Sequence, residues 1–183
     1  MKLLTVAIPC YNSSEYMDKS IRSAISGGDR VEVVVVDDGS SDNTLEIANK
    51  YQKKFPDIVK VVHQENGGHG EAVNTGIKNA TGLYFKVLDS DDCLGKNALQ
   101  KVLDLLEDMV SKDAGLDMLI SNFMYDKQGA KHKKIMKYKS AMPVGRMFGW
   151  DELHFGTSQY LLMHSVIYRT KVLRECKMQL PKH

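Results

Sequence analysis

Val31-Glu32-Val33-Val34-Val35-Val36-Asp37-Asp38-Gly39 is the stretch on which the fold turns. Five valines in six positions leave no polar alternation, as expected of a strand covered on both faces in a parallel sheet. The run stops abruptly at two carboxylates and a glycine, which suit a tight turn. Three other runs repeat the pattern: Leu3 to Ile8 ahead of Pro9, Ile58 to Val62, and Leu83 to Leu88. Between them the period changes. Met17, Ile21, Ala24 and Ile25 recur at helical spacing and are stopped by Gly27-Gly28. Leu45, Ala48 and Tyr51 form a second stripe, with Asp42 as its expected N-cap, and Val73, Ile77 and Ala80 a third that ends before Gly82. Leu99, Val102, Leu103, Leu106, Met109 and Val110 form the fourth. Strand and helix alternating in this way predict an α/β domain built on a mainly parallel sheet.

The chain has 183 residues, of which 43% are hydrophobic and 26% charged, enough apolar content for a packed core and too much for a disordered chain. No apolar run reaches the roughly 20 residues of a membrane helix. Cys10, Cys93 and Cys176 are far apart and fit no metal-ligand spacing, so they read as reduced thiols in a cytoplasmic protein. The net charge of +2 hides an asymmetry. Residues 1–92 carry 10 Lys+Arg against 14 Asp+Glu, and residues 93–183 carry 15 against 9. Six lysines fall within 127–139 (127, 131, 133, 134, 137 and 139), in a stretch expected to form a hairpin strand or a loop. A solvated face is their default reading, and contact with an anionic acceptor or the inner face of a membrane is the alternative. Tyr138 is the one aromatic among them and no motif accompanies it, which argues against nucleic acid.

Polar residues collect just past each strand. Pro9, Tyr11 and Asn12 follow the first, Asp37 to Asp42 the second, Glu65 to Glu71 the third, and Asp89-Ser90-Asp91-Asp92 the fourth. In a parallel sheet these groups converge on one edge, where ligands bind in open α/β folds. Three carboxylates within four residues repel one another, and a hard cation such as Mg²⁺ or Mn²⁺ relieves that repulsion. The competing reading makes Asp91 or Asp92 the cap of the helix beginning near Lys96. Asp38 suits a donor-rich base edge or a ribose hydroxyl, because a carboxylate accepts paired hydrogen bonds. The glycines of Asn66-Gly67-Gly68-His69-Gly70 allow close backbone approach to a ligand, and His69 can donate to a phosphate or sugar oxygen.

Taken in order, Val6-Ala7-Ile8-Pro9-Cys10-Tyr11-Asn12, Val36-Asp37-Asp38-Gly39-Ser40-Ser41-Asp42-Asn43-Thr44, Asn66-Gly67-Gly68 through Asn74-Thr75-Gly76, and Leu88-Asp89-Ser90-Asp91-Asp92 resemble a family 2 glycosyltransferase. The resemblance covers about residues 3–95, and His164 to Arg169 resembles the family's late strand. It implies a GT-A fold with helices on both faces of the sheet, a nucleotide-diphosphate-sugar donor (UDP-sugar by family habit), a divalent metal (Mn²⁺ or Mg²⁺) and inversion at the anomeric carbon. The acceptor it implies is a glycan or a lipid-linked glycan, as in cell-wall or polysaccharide synthesis. Carried over by position, Pro9, Tyr11 and Asn12 line the nucleoside pocket, Asp38 contacts the base, Asp89 reaches the ribose and Asp91 holds the metal. Gly68, His69, Asn74 and Ser90 complete the donor-binding set.

One departure follows. The family's general base lies in an acidic motif beyond the late strand, whereas 14 residues follow Arg169 here, with Glu175 the one acid among them, in a helical stretch. The expectation is therefore a single transferase domain cut short, with residues 1–95 forming the donor part, 96–183 the start of the acceptor part, and the base beyond His183. Two other classes compete with a transferase: a non-catalytic nucleotide-sugar-binding domain, which shares the same pocket, and a nicotinamide-dependent oxidoreductase. The latter lacks its G-x-G-x-x-G turn, since the first turn here is Pro9-Cys10-Tyr11-Asn12-Ser13-Ser14.

Overall fold

A computed structural model describes residues 1–125, 134–157 and 159–182. The chain divides into two compact units, residues 1–117 with 168–183, and residues 118–167. The first unit runs past residue 95 to take in the next helix and the terminal one.

Unit 1 alternates strand and helix as the periodicities predict: β1 (Leu4–Cys10), α1 (Met17–Ile25), β2 (Val31–Asp38), α2 (Thr44–Lys54), β3 (Val59–Gln64), α3 (His69–Asn79), β4 (Tyr84–Val87) and α4 (Lys96–Ser111). β1 pairs in parallel with β2 and, on its other side, with β4, while β3 pairs in parallel with β2. A further strand, β8 (Val166–Arg169), runs antiparallel to β4 through Tyr84↔Arg169 and Phe85↔Tyr168, and leads into α5 (Thr170–Glu175). The order across the sheet is thus β3-β2-β1-β4-β8. The chain steps from β1 outward to β3 and then returns to the far side of β1. That reversal creates a switch point between β1 and β4, at whose carboxyl side open α/β sheets bind ligands. Because parallel crossovers are right-handed, it also puts α3 on the face opposite α1 and α2.

Every residue of β1 and β2 is buried, so the unbroken valine run reports cover on both faces. Val34 and Val36 pack against Ala72 of α3, and the period of two directs Val33 and Val35 to the α1 side. Glu32, the one charge in the run, is satisfied at the other end of the sheet. It accepts from Thr5 Oγ1 at 2.6 Å and from the Thr81 amide at 2.7 Å, and Thr5 Oγ1 accepts in turn from the Gly82 amide at 2.9 Å.

Two capping expectations come out differently. The Asp42 carboxylate does accept from the Thr44 amide at 2.9 Å, but from one position before Asn43, the residue that flanks α2. The helix α4 starts at Lys96 behind Gly95 with no side-chain cap, so neither Asp91 nor Asp92 is spent on it. The alternative reading of the Asp cluster as a helix cap is corrected.

Within unit 2, β5 (Met118–Ile120) lies beside the first half of β8, and β6 (Phe123–Tyr125) pairs with β7 (Lys134–Met136) as an antiparallel hairpin. Tyr138, Ala141 and Met142 form its core with Ile120, Phe123 and Leu161 among others. Lys127, Lys131 and Lys133 of the lysine cluster lie outside the described residues, and Lys134, Lys137 and Lys139 are exposed. Among the described residues no helix is long and apolar enough to cross a membrane.

Gly82 sits where a Cβ would meet the Thr5 amide nitrogen at 2.6 Å and the Leu4 carbonyl carbon at 2.8 Å. Both are backbone atoms of a fully buried strand and cannot step aside. Gly82→Ala is expected to cost about 2 kcal/mol, within the usual range for an overpacked core. The urea midpoint at unchanged slope measures it, and a midpoint equal to wild type would show that this corner yields.

Candidate active site

The strand ends of unit 1 enclose a cleft of about 340 Å³. Pro9, Cys10, Tyr11 and Ser13 come from the end of β1, Asp38 from β2, Asn66, Gly68 and His69 from the β3–α3 turn, and Ser90 from the loop after β4. Tyr16 and Ala72 complete the wall. Six of the ten residues assigned from the sequence therefore meet here: Pro9, Tyr11, Asp38, Gly68, His69 and Ser90.

The loops are held by side chains that the motif reading treated as ligand contacts or passed over. Asn12 adopts a left-handed backbone (φ 48°), and its Oδ1 accepts from the Ser41 amide at 2.9 Å, so it stitches the β1 loop to the β2 loop and does not line the cleft. Ser13 is buried; its amide donates to Thr44 Oγ1 at 2.7 Å and its hydroxyl meets that of Ser90 at 2.9 Å. Asp42 accepts from the Ser14 amide at 3.1 Å. Burial works against ionisation of Asp42, but hydrogen bonds from Thr44 and Ser14 outweigh it and hold the carboxyl well below the usual range.

Asp38 is buried and accepts from the amides of Gly67 and Gly68, each at 2.9 Å, and from Gln64 Nε2 at 2.7 Å. Gly68 takes φ 82°, which lets the turn bring both amides to one carboxylate before α3 begins. Gly39, at φ 71°, comes so close that a Cβ would lie 2.8 Å from the Asn66 amide nitrogen.

Asn74 lies away from the cleft. Its amide donates to the Leu180 carbonyl at 2.9 Å and accepts from the Leu180 amide at 2.8 Å, clamping the extended segment after α5 against α3. The sequence showed Asn74 only as part of a motif, and nothing in its local pattern pointed to a partner 106 positions away.

The acidic turn follows β4. His69 Nε2 stands 3.8 Å from Asp89 Oδ1, and carboxylate oxygens of Asp89 and Asp92 approach within 4.8 Å of one another. Lys86, buried on β4 three positions earlier, is the residue the sequence reading passed over. Burial pushes its ammonium down to about 8, while the charges of Asp92 and Asp89 pull it back up. Asp91 is exposed and makes no hydrogen bond or ion pair among the described residues. Oxygen donors in this density suit a hard divalent cation.

A cleft at the switch point of a β3-β2-β1-β4 sheet, floored by a buried carboxylate and edged by an Asp cluster, is that of an α/β domain of the GT-A kind. The chain belongs to glycosyl transferase family 2, whose profile matches residues 5–170. It is 34% identical over 149 residues to an uncharacterized glycosyltransferase of Rickettsia felis, covering 79% of this chain and 23% of that protein. It is 29% identical over 160 residues to the minor teichoic acid biosynthesis protein GgaA of Bacillus subtilis, covering 84% of this chain and 35% of that one. Residues 1–349 of S. aureus TarS superpose with a TM-score of 0.74 at 28% identity over 99% of this chain and 50% of theirs. The TarS complex with UDP-GlcNAc superposes with a TM-score of 0.71 at 27% identity. The chain thus spans well under two thirds of the length of these relatives.

Cys10 lines the cleft but is buried, and burial, followed by the nearby Asp37 charge, pushes its thiol up to about 12. At pH 8 it is protonated and inert. Iodoacetamide is expected to label the exposed Cys93 and Cys176 in the folded chain and to reach Cys10 only after denaturation. Peptide mass spectrometry reads this, and equal labelling of all three would show that the end of β1 opens.

Proposed function

We propose that this chain is the donor-binding portion of a glycosyltransferase that takes a UDP-sugar, UDP-N-acetylglucosamine being the foremost candidate, and transfers the sugar with inversion to a cell-wall-type glycan. The observation that carries the reading is the convergence of Tyr11, Asp38, His69 and Ser90 on one cleft at the sheet's switch point. The TarS complex supports the donor, and the GgaA likeness supports a teichoic-acid-like acceptor.

In this reading Tyr11 and Tyr16, 54% and 42% exposed at the cleft, offer the base a flat apolar wall, and Asp38 meets its edge. The diphosphate lies toward His69, which begins α3, where the first turn of the helix favours negative charge. His69, beside Asp89, donates a hydrogen bond to a phosphate oxygen there. The acceptor hydroxyl attacks the anomeric carbon as the bond from that carbon to the diphosphate oxygen breaks, and its proton passes to a general base. Glu175 is not given that role, because it sits exposed on α5, 3.6 Å from Lys171. Asp91, with Asp89 alongside, would hold Mn²⁺ or Mg²⁺, which stabilises the charge gathering on the departing diphosphate. Lys86 neutralises part of the Asp89–Asp92 charge from inside the protein, and the exposed Asp91 is left for the cation.

UDP-GlcNAc with Mn²⁺ is expected to raise the melting temperature, a ligand at 100 times its Kd adding about 2.7 kcal/mol. Asp91→Ala should leave the ligand-free melting temperature unchanged and lose the Mn²⁺-dependent part of the affinity, about tenfold or more. Isothermal titration with and without Mn²⁺ reads both proteins. Equal affinities in all four titrations would contradict the metal assignment, and no shift with any UDP-sugar would contradict the donor.

A further inference from the structure

Asp38 is more committed than its place in the cleft suggests. An ionised carboxylate has about four acceptor positions. Three are filled: Gln64 Nε2 at 2.7 Å and the Gly67 amide at 2.9 Å on Oδ1, and the Gly68 amide at 2.9 Å on Oδ2. One position remains, and it is on Oδ2. The paired acceptance expected of a free aspartate is therefore closed.

Gln64 is itself held in one orientation. Thr75, on α3, donates its hydroxyl to Gln64 Oε1 at 2.5 Å, which fixes the carbonyl end toward the helix and turns the NH₂ end to Asp38. Flipping the amide would break both bonds and set an oxygen against a buried carboxylate. The chain Thr75–Gln64–Asp38 spans α3, β3 and β2, and Asp38 and Gln64 are register partners on adjacent parallel strands.

We propose that Gln64, held by Thr75, is a positioning residue for base specificity: by occupying Asp38 Oδ1 it leaves one acceptor on Oδ2, which takes the single imide N–H of uracil and refuses the two adjacent donors of guanine. This rests on the donor reading above and narrows it. Guanine brings two N–H donors to one edge, and a site with one free acceptor leaves the second donor buried without a partner. Uracil brings one N–H between two carbonyls and leaves none over.

Titration of the whole chain with UDP and with GDP, each with Mn²⁺, tests the inference. Wild type is expected to favour UDP by about tenfold or more. Gln64→Leu removes the donor to Oδ1 and reopens a second acceptor, so UDP affinity falls and the UDP:GDP ratio moves toward one. Thr75→Val moves the ratio the same way by a smaller factor, and Thr75→Ser, which returns the hydroxyl, restores what Thr75→Val loses. A purely structural role would weaken both nucleotides alike and leave the ratio in place. Should Gln64→Leu fail to fold, the Thr75 pair carries the test by itself. A wild-type chain that binds GDP as well as UDP overturns the proposal, and so do folded Gln64→Leu or Thr75→Val variants with an unchanged ratio. In the latter case UDP binding in wild type still stands, so the donor reading survives. Absence of binding by either nucleotide overturns both.

Discussion

A carboxylate buried at the end of a parallel strand must find donors or it destabilises the fold. At Asp38 those donors are the amides of Gly67 and Gly68 and the side chain of Gln64. Satisfying Asp38 thus draws the β3–α3 turn over the end of β2, forces Gly68 into a left-handed conformation, and sets the first turn of α3 at the cleft. The requirement that makes the fold close correctly also builds one wall of the site. Gly39 and Gly67 are needed for the same reason: a Cβ at either would collide with Asn66 or Glu71 and push the turn away.

The rest of the cleft is tied to that wall by short polar side chains. Asn12, Ser13 and Asp42 bond the β1 and β2 loops to each other and, through Ser90, to the turn after β4. The acidic turn has its own internal balance. Lys86 is buried against the charges of Asp92 and Asp89, so these acids are partly compensated from within, and the exposed Asp91 is not. The acidic first half of the chain therefore divides into charges that hold the protein together and a smaller set left exposed at the acidic turn.

The α/β fold was legible in the sequence because periodicity reports burial, and burial is what the Val31–Val36 run and Leu99, Leu103 and Leu106 of the fourth stripe record, though Val110 at its end is exposed. The ends of β2 and β4 were legible too, since Gly39 and the Asp89–Asp92 cluster lie just past them, whereas β1 runs through Pro9, its expected stop, to Cys10. What escaped was partnership. Asn74 reads as a motif residue, yet it grips Leu180, and Asn12 grips Ser41; such bonds depend on the tertiary fold and leave no local signature. Glu32 looks out of place in a valine strand until Thr5 and Thr81 meet it from other elements. Gln64 and Thr75, eleven positions apart, showed no periodicity that would join them to Asp38. The division at residue 117 was likewise invisible to motif spacing.

A crystal structure of this chain with UDP and Mn²⁺ bears most directly on the claim that Asp38 presents a single acceptor to a pyrimidine. The uracil is expected against Tyr11 with its N3–H within hydrogen-bond distance of Asp38 Oδ2, while Gln64 stays on Oδ1. A uracil bonded to Oδ1 with Gln64 displaced, or seated away from Asp38 altogether, would contradict it.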